Sequence, residues 1–89
     1  VEAYYNLGNI LFNARSIEEA IDYYEEAIKI RPDFALPHNN LGNALIQNGK
    51  IKEAIDHYRE ALRLKPNLIP AQKNLEMALM QANKMENFK

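Results

Sequence analysis

One pattern of residues runs through this chain twice at an offset of thirty-four positions and then starts a third time. Laying residues 1–34 over 35–68 pairs Asn6 with Asn40, Leu7 with Leu41, Gly8 with Gly42, Asn9 with Asn43 and Leu11 with Leu45. Further along it pairs Ala20 with Ala54, Ile21 with Ile55, Tyr24 with Tyr58, Ala27 with Ala61 and Pro32 with Pro66. A period of this length implies stacked supersecondary units, each unable to bury its apolar face alone, rather than one closed globule. The third copy keeps Ala71, Asn74, Leu75, Ala78 and Leu79 but has neither the second half nor the closing proline. Function is therefore sought on a repeated surface.

The units read as helical. Ile17, Ala20, Ile21, Tyr24, Ala27 and Ile28 share one helical stripe, with Glu18, Glu19, Asp22, Glu25 and Lys29 on the other side. Ser16 followed by Glu19 predicts a capping box, and Pro32 marks the end. The same phase returns from about Lys50 to Lys65, with Gly49 suited to the left-handed turn before it. First helices are expected at about 2–14 and 36–47, where Pro37 is tolerable in a first turn. Loops of three or four residues force neighbouring helices antiparallel. A fifth helix should start near Pro70 and run to about Asn83 or beyond. The expected fold class is all-α, an antiparallel helix-hairpin solenoid of five helices. Its divisions are 1–34, 35–68 and a capping helix in 69–89. Glu76 stands where the earlier copies have Gly8 and Gly42, and a carboxylate there is too costly to bury against a hairpin partner.

Composition removes whole classes of function. There is no cysteine, and the only serine, Ser16, is used as a cap; with no threonine and no glycine-rich phosphate loop, the inventory for catalysis is missing. No cofactor is expected. No stretch approaches the roughly 20 apolar residues of a membrane span, so no membrane contact is expected from this segment. The formal net charge of −1 does not suggest a nucleic-acid binder, and Lys50, Lys52, Arg59, Arg63 and Lys65 alternate with Glu53, Asp56 and Glu60. The charge is unevenly placed: residues 1–34 carry seven acids against three bases, residues 35–89 five acids against eight bases. The chain opens at Val1 in step with the first repeat and reads as a piece of a longer protein.

Tyr4-x2-Leu7-Gly8-x2-Leu11, Ala20-x3-Tyr24-x2-Ala27 and Pro32, repeated as His38-x2-Leu41-Gly42-x2-Leu45, Ala54-x3-Tyr58-x2-Ala61 and Pro66, resembles the tetratricopeptide repeat. Leu11 and Leu45 stand where an aromatic is usual, as does His38, and Arg15 replaces a turn glycine. The resemblance implies a non-enzymatic module whose first helices line a concave groove for a peptide or a partner helix. Carried over by position, the groove takes Tyr5, Asn6, Asn9 and Phe12 from the first repeat. The second gives Asn39, Asn40, Asn43 and Ile46, and the cap gives Lys73, Asn74 and Met77. Asn6, Asn40 and Asn74 lie one period apart, like the asparagine ladders in the repeats of protein O-linked sugar transferases. Carboxamides in register can hold an extended peptide backbone or brace one repeat against the next, and the sequence leaves both open. Some members of the family grip a terminal carboxylate with basic groove residues; Tyr5, Pro70 and Asn74 occupy those places here, so that ligand is not expected.

Glu53, His57 and Glu60 share a helix face at metal-ligand spacing, but Arg59 and Arg63 crowd it, and the face reads as solvated rather than as a metal site. His38 reads as a partly buried spacer. The resulting expectation is a scaffold binding another protein or peptide. Two alternatives stand beside it: weak head-to-tail self-association, and service as the substrate-recruiting arm of a larger enzyme.

Overall fold

The computed structural model describes residues 2–87. These form five helices in chain order, α1 (Glu2–Asn13), α2 (Ile17–Ile30), α3 (Ala35–Gln47), α4 (Ile51–Leu64) and α5 (Ile69–Asn87), with no strand among them. Two hairpins, α1–α2 and α3–α4, stack so that α2 packs on α3, and α5 lies against α4 with a lighter contact to α3. The body measures 41 × 28 × 18 Å.

Each hairpin closes through a tyrosine ring laid over a glycine. A Cβ on Gly8 would stand 2.6 Å from the Tyr24 ring, and one on Gly42 would stand 2.5 Å from Tyr58. Only the missing side chain allows the second helix to bring a whole aromatic ring this close. Ala20 and Ala54 are fully buried in one cluster with the two rings, and Ala27 and Ala61 are fully buried as well. One apolar cluster runs through both repeats by way of Leu41, Ala44, Leu45 and Ile55 to Ala78 of α5. A smaller one joins Ala35, Ala61, Leu68 and Ala71. Glu76 is exposed on the far side of α5.

The turns differ from the sequence expectation in one respect. Ser16 sits at the start of α2 but makes no side-chain cap bond, because its backbone (φ −86, ψ 69) leaves the extended region from which a capping oxygen reaches forward. The turn is closed from the preceding helix instead, by Arg15 N–H to the Phe12 carbonyl at 3.0 Å and Ser16 N–H to that of Leu11 at 2.8 Å. Gly49 and Lys50 repeat this pattern on Ile46 and Leu45. The pivot residue is left-handed in both turns, Arg15 at φ 69 and Gly49 at φ 76. The third copy has Asn83 at that register and stays helical through it, which makes α5 nineteen residues long against twelve for α1 and thirteen for α3.

Candidate functional site

The first helices α1, α3 and α5 present their amides along one side of the stack, where two adjoining hollows open. One, of about 290 Å³, is lined by Asn9, Phe12, Asn13, Tyr24, Asn40 and Asn43. The other, of about 150 Å³, shares Phe12 and Asn43 and adds Ile46, Gln47, Tyr58, Asn74, Met77, Ala78 and Gln81. The structure thus brings together Asn9, Phe12, Asn40, Asn43, Ile46, Asn74 and Met77 from the expected groove. Four expected residues line neither hollow. Asn6 and Lys73 are exposed elsewhere, and Asn39 is buried. Tyr5 packs its ring between Tyr24 and Phe34.

A chain of hydrogen bonds orders these side chains. Tyr24 Oη donates to Asn9 Oδ1 at 2.6 Å, and Asn40 Nδ2 donates to the same oxygen at 2.7 Å and to Tyr5 Oη at 3.3 Å. Asn39 Nδ2 donates to Asn40 Oδ1 at 3.2 Å, and Asn74 Nδ2 donates to Asn39 Oδ1 at 3.1 Å. In the second repeat Tyr58 Oη donates to Asn43 Oδ1 at 2.6 Å. Two members of the expected ladder, Asn40 and Asn74, thus reach back to the first helix of the preceding repeat, while Asn6 is exposed.

Asn9 and Asn43 have their carbonyls taken, and both residues line the hollows. Burial pushes the Tyr24 phenol up to about 12, with the Asn40 amide opposing and Tyr5 adding to the shift, and burial alone pushes Tyr58 up to about 12. Both hydroxyls therefore remain donors over the whole neutral range. Sequence reasoning assigned Tyr24 and Tyr58 to the core and missed their second role. A phenol on an otherwise apolar stripe, one period apart in each copy, was the available signal.

No lysine, arginine or carboxylate lines either hollow. Another cleft, about 340 Å³, lies between the α3–α4 turn and the last turns of α5, lined by Lys50, Ile51, Lys52, Glu53, Ala82, Met85 and Glu86. Among the described residues no group of three or more His, Asp or Glu side chains is arranged to hold a metal. His57 is not on a freely solvated face as its neighbours suggested: its Nδ1 lies 3.2 Å from Nδ1 of His38, and the two rings stack at 5.5 Å. No helix among the described residues is long and apolar enough to cross a membrane.

Helix hairpins of this length, stacked with a short period around small residues, define a helical-repeat protein. The tetratricopeptide repeat family model matches residues 1–34 and 35–68, and the chain belongs to that family. No curated protein matches it. Among solved structures, two of MamA are 29% identical, with TM-scores of 0.89 and 0.88; they cover 92% of this chain and 48% and 45% of MamA. The chain thus spans about half the length of those proteins. The first tetratricopeptide domain of Spaghetti (RPAP3), solved bound to the HSP90 peptide SRMEEVD, shares the fold at TM-score 0.89 with 23% identity, covering 94% of this chain and 67% of that one.

Proposed function

We propose that this chain is a non-enzymatic scaffold that holds an extended, uncharged segment of another protein along the two hollows. The observation that carries the reading is the pair of clamped amides. Because Tyr24 and Tyr58 each take a carbonyl at 2.6 Å, Asn9 and Asn43 offer Nδ2 donors one repeat apart, beside the apolar Phe12, Ile46 and Met77. Peptide carbonyls are acceptors that suit such donors whatever the side chains attached to them. Met77, 68% exposed, and Phe12 supply adaptable apolar area for one side chain of the ligand. Membership of the family, and a structural neighbour solved with a peptide, support a protein-interaction role. The neutral lining argues against an acidic ligand such as that neighbour's: a carboxylate would lose its water and find no cation.

The test is selection from a displayed library of random peptides. Uncharged sequences with one medium-sized apolar residue should be enriched, their affinity should be nearly independent of salt, and Asn9→Ala or Asn43→Ala should weaken them by roughly threefold to tenfold each. Enrichment of acidic peptides whose binding collapses with salt refutes the reading.

A second reading, weak head-to-tail association of modules, is favoured by one contrast. Leu7 and Ile10 of α1 are 37% and 63% exposed, while their counterparts Leu41 and Ala44 are 1% and 0% exposed beneath α2. A contact of this kind is heterologous and need not close. A monomeric sedimentation profile at high protein concentration and low salt eliminates it.

A further inference from the structure

The two repeats are nearly equivalent, and this makes one departure conspicuous. Tyr4 and Tyr23 stack across the first hairpin with centroids 5.9 Å apart at 26°. One period on, the same two places hold His38 and His57, stacked at 5.5 Å and the same 26°. An aromatic pair that does not change charge near neutral pH has been replaced, at the same geometry, by a pair that can. His38 is buried and His57 half-buried.

The tautomers are assigned from the partners of each ring nitrogen. His38 Nε2 lies 3.4 Å from the Pro32 carbonyl, which can only accept, so that nitrogen carries the hydrogen. Neutral His38 then has a bare Nδ1, and His57 must donate its own Nδ1–H across the 3.2 Å gap. His57 Nε2 is left as the bare nitrogen of the pair. A first additional proton can sit there and leave both contacts in place. A second has only His38 Nδ1 to go to, and that nitrogen already faces the N–H of a cationic ring.

We propose that the His38–His57 contact is an acid-sensitive fastener of the second hairpin: the pair takes one proton with its contacts intact, and the second proton drives the rings apart and loosens α3 from α4. The charged groups around it come from α4. Glu53, Asp56 and Glu60 favour charge on His57, and for His38 Glu60 favours it while Arg63 and His57 oppose it. Glu60 is itself tied to Arg63 at 2.6 Å. The α2–α3 loop meets His38 through the Pro32 carbonyl, while its Arg31 and Asp33 pair with each other at 3.7 Å, and α3 has no titratable side chain besides His38. Burial is the largest influence on both rings and holds both below the ordinary histidine range despite the carboxylates. Folded-state values below the unfolded one mean that this contribution to stability is complete above about pH 6.5 and is lost as the pH falls through the folded values.

Two measurements test this. Imidazole Cε1–H resonances of the unaltered protein, followed by NMR from about pH 8 to pH 4, should titrate as a coupled pair in two steps below the ordinary range. Melting followed by circular dichroism should show a Tm loss of roughly 4–8 °C between about pH 7.5 and pH 5 that disappears in His38→Phe/His57→Phe, which restores the stacking of the first repeat without its titration. Independent titration of both rings near about 6.5 overturns the proposal, as does an undiminished acid loss in the folded double variant. The NMR measurement decides alone if the double variant does not fold.

Discussion

Gly42→Ala isolates the contact that closes the second hairpin. In an exposed helix the change would be favourable by about 0.8–1 kcal/mol, because alanine is the better helix former. Here the new methyl would meet three atoms of the Tyr58 ring at 2.5, 2.8 and 2.8 Å, where carbon atoms normally rest at about 3.5–4.0 Å. The ring cannot swing away: it is 2% exposed, and its hydroxyl is bonded to Asn43 at 2.6 Å. Nor can α3 retreat, since α2 covers its other side. Overpacking of a well-filled core costs about 1–3 kcal/mol, and contacts this short against a ring held at its far end belong at the upper end of that range. After the propensity gain, a net loss of about 1–2 kcal/mol remains, equivalent to a Tm lower by roughly 4–16 °C in a chain of this size. Gly8→Ala makes the same collision with Tyr24 at 2.6 Å, but the outer side of α1 is uncovered and the helix can back off, so a smaller loss is expected. Gly49→Ala has no atom within 4 Å and meets only its left-handed φ of 76, a cost of roughly 1–2 kcal/mol. Urea denaturation of the three variants gives the order. Stabilisation by Gly42→Ala, the sign that propensity alone predicts, would refute the ring-over-glycine packing.

Asn40→Ala removes bonds to Asn9, Tyr5 and Asn39 at once and should cost about 1–3 kcal/mol in urea denaturation; unchanged stability would mean those bonds do not brace the repeats. Arg15→Gly relieves a left-handed backbone at an exposed arginine and should stabilise by about 0.5–1.5 kcal/mol, read as a higher Tm. Tyr24 and Tyr58, each held up to about 12, should ionise only as the helices melt in alkali. Their raised values give stability that is complete below about pH 10 and lost as the pH rises through about 12. Absorbance at about 295 nm that completes its rise by about pH 10.5 with helical dichroism intact contradicts this.

The helices, their order and their phase were legible because a 34-residue period samples the same environments twice, so a mistaken apolar assignment in one copy would conflict with the other. What the period could not give was the identity of each residue's partner. Asn40 and Asn74 occupy one register and reach back to Tyr5 and Asn39, which also lie one period apart but differ in chemistry. The bond from Asn40 to Asn9 has no counterpart from Asn74 to Asn43 among the described side chains. His57 escaped for the same reason. Its neighbours along α4 are charged, which marks a solvated face, whereas its true environment is set by a residue nineteen positions earlier on another helix. Ser16 failed as a cap because the cap signature assumes an extended backbone at that residue, and the left-handed Arg15 just before it turns the chain differently.

The same distinction bears on where a ligand can be held. An amide already engaged with a neighbouring helix can add little to a partner, because both its donors would have to leave existing bonds before making new ones. Asn40 is in that position, with Nδ2 shared between Asn9 and Tyr5. Asn9 and Asn43 are in the opposite one, with the oxygen taken and the nitrogen still to be satisfied. The bonds that order the stack thus also determine which atoms of each amide are left without a partner inside the repeat. On the proposed function, specificity changes through the residue opposite each tyrosine hydroxyl, at positions 9 and 43, more readily than through the asparagines at 6, 40 and 74 that the repeated sequence makes most visible.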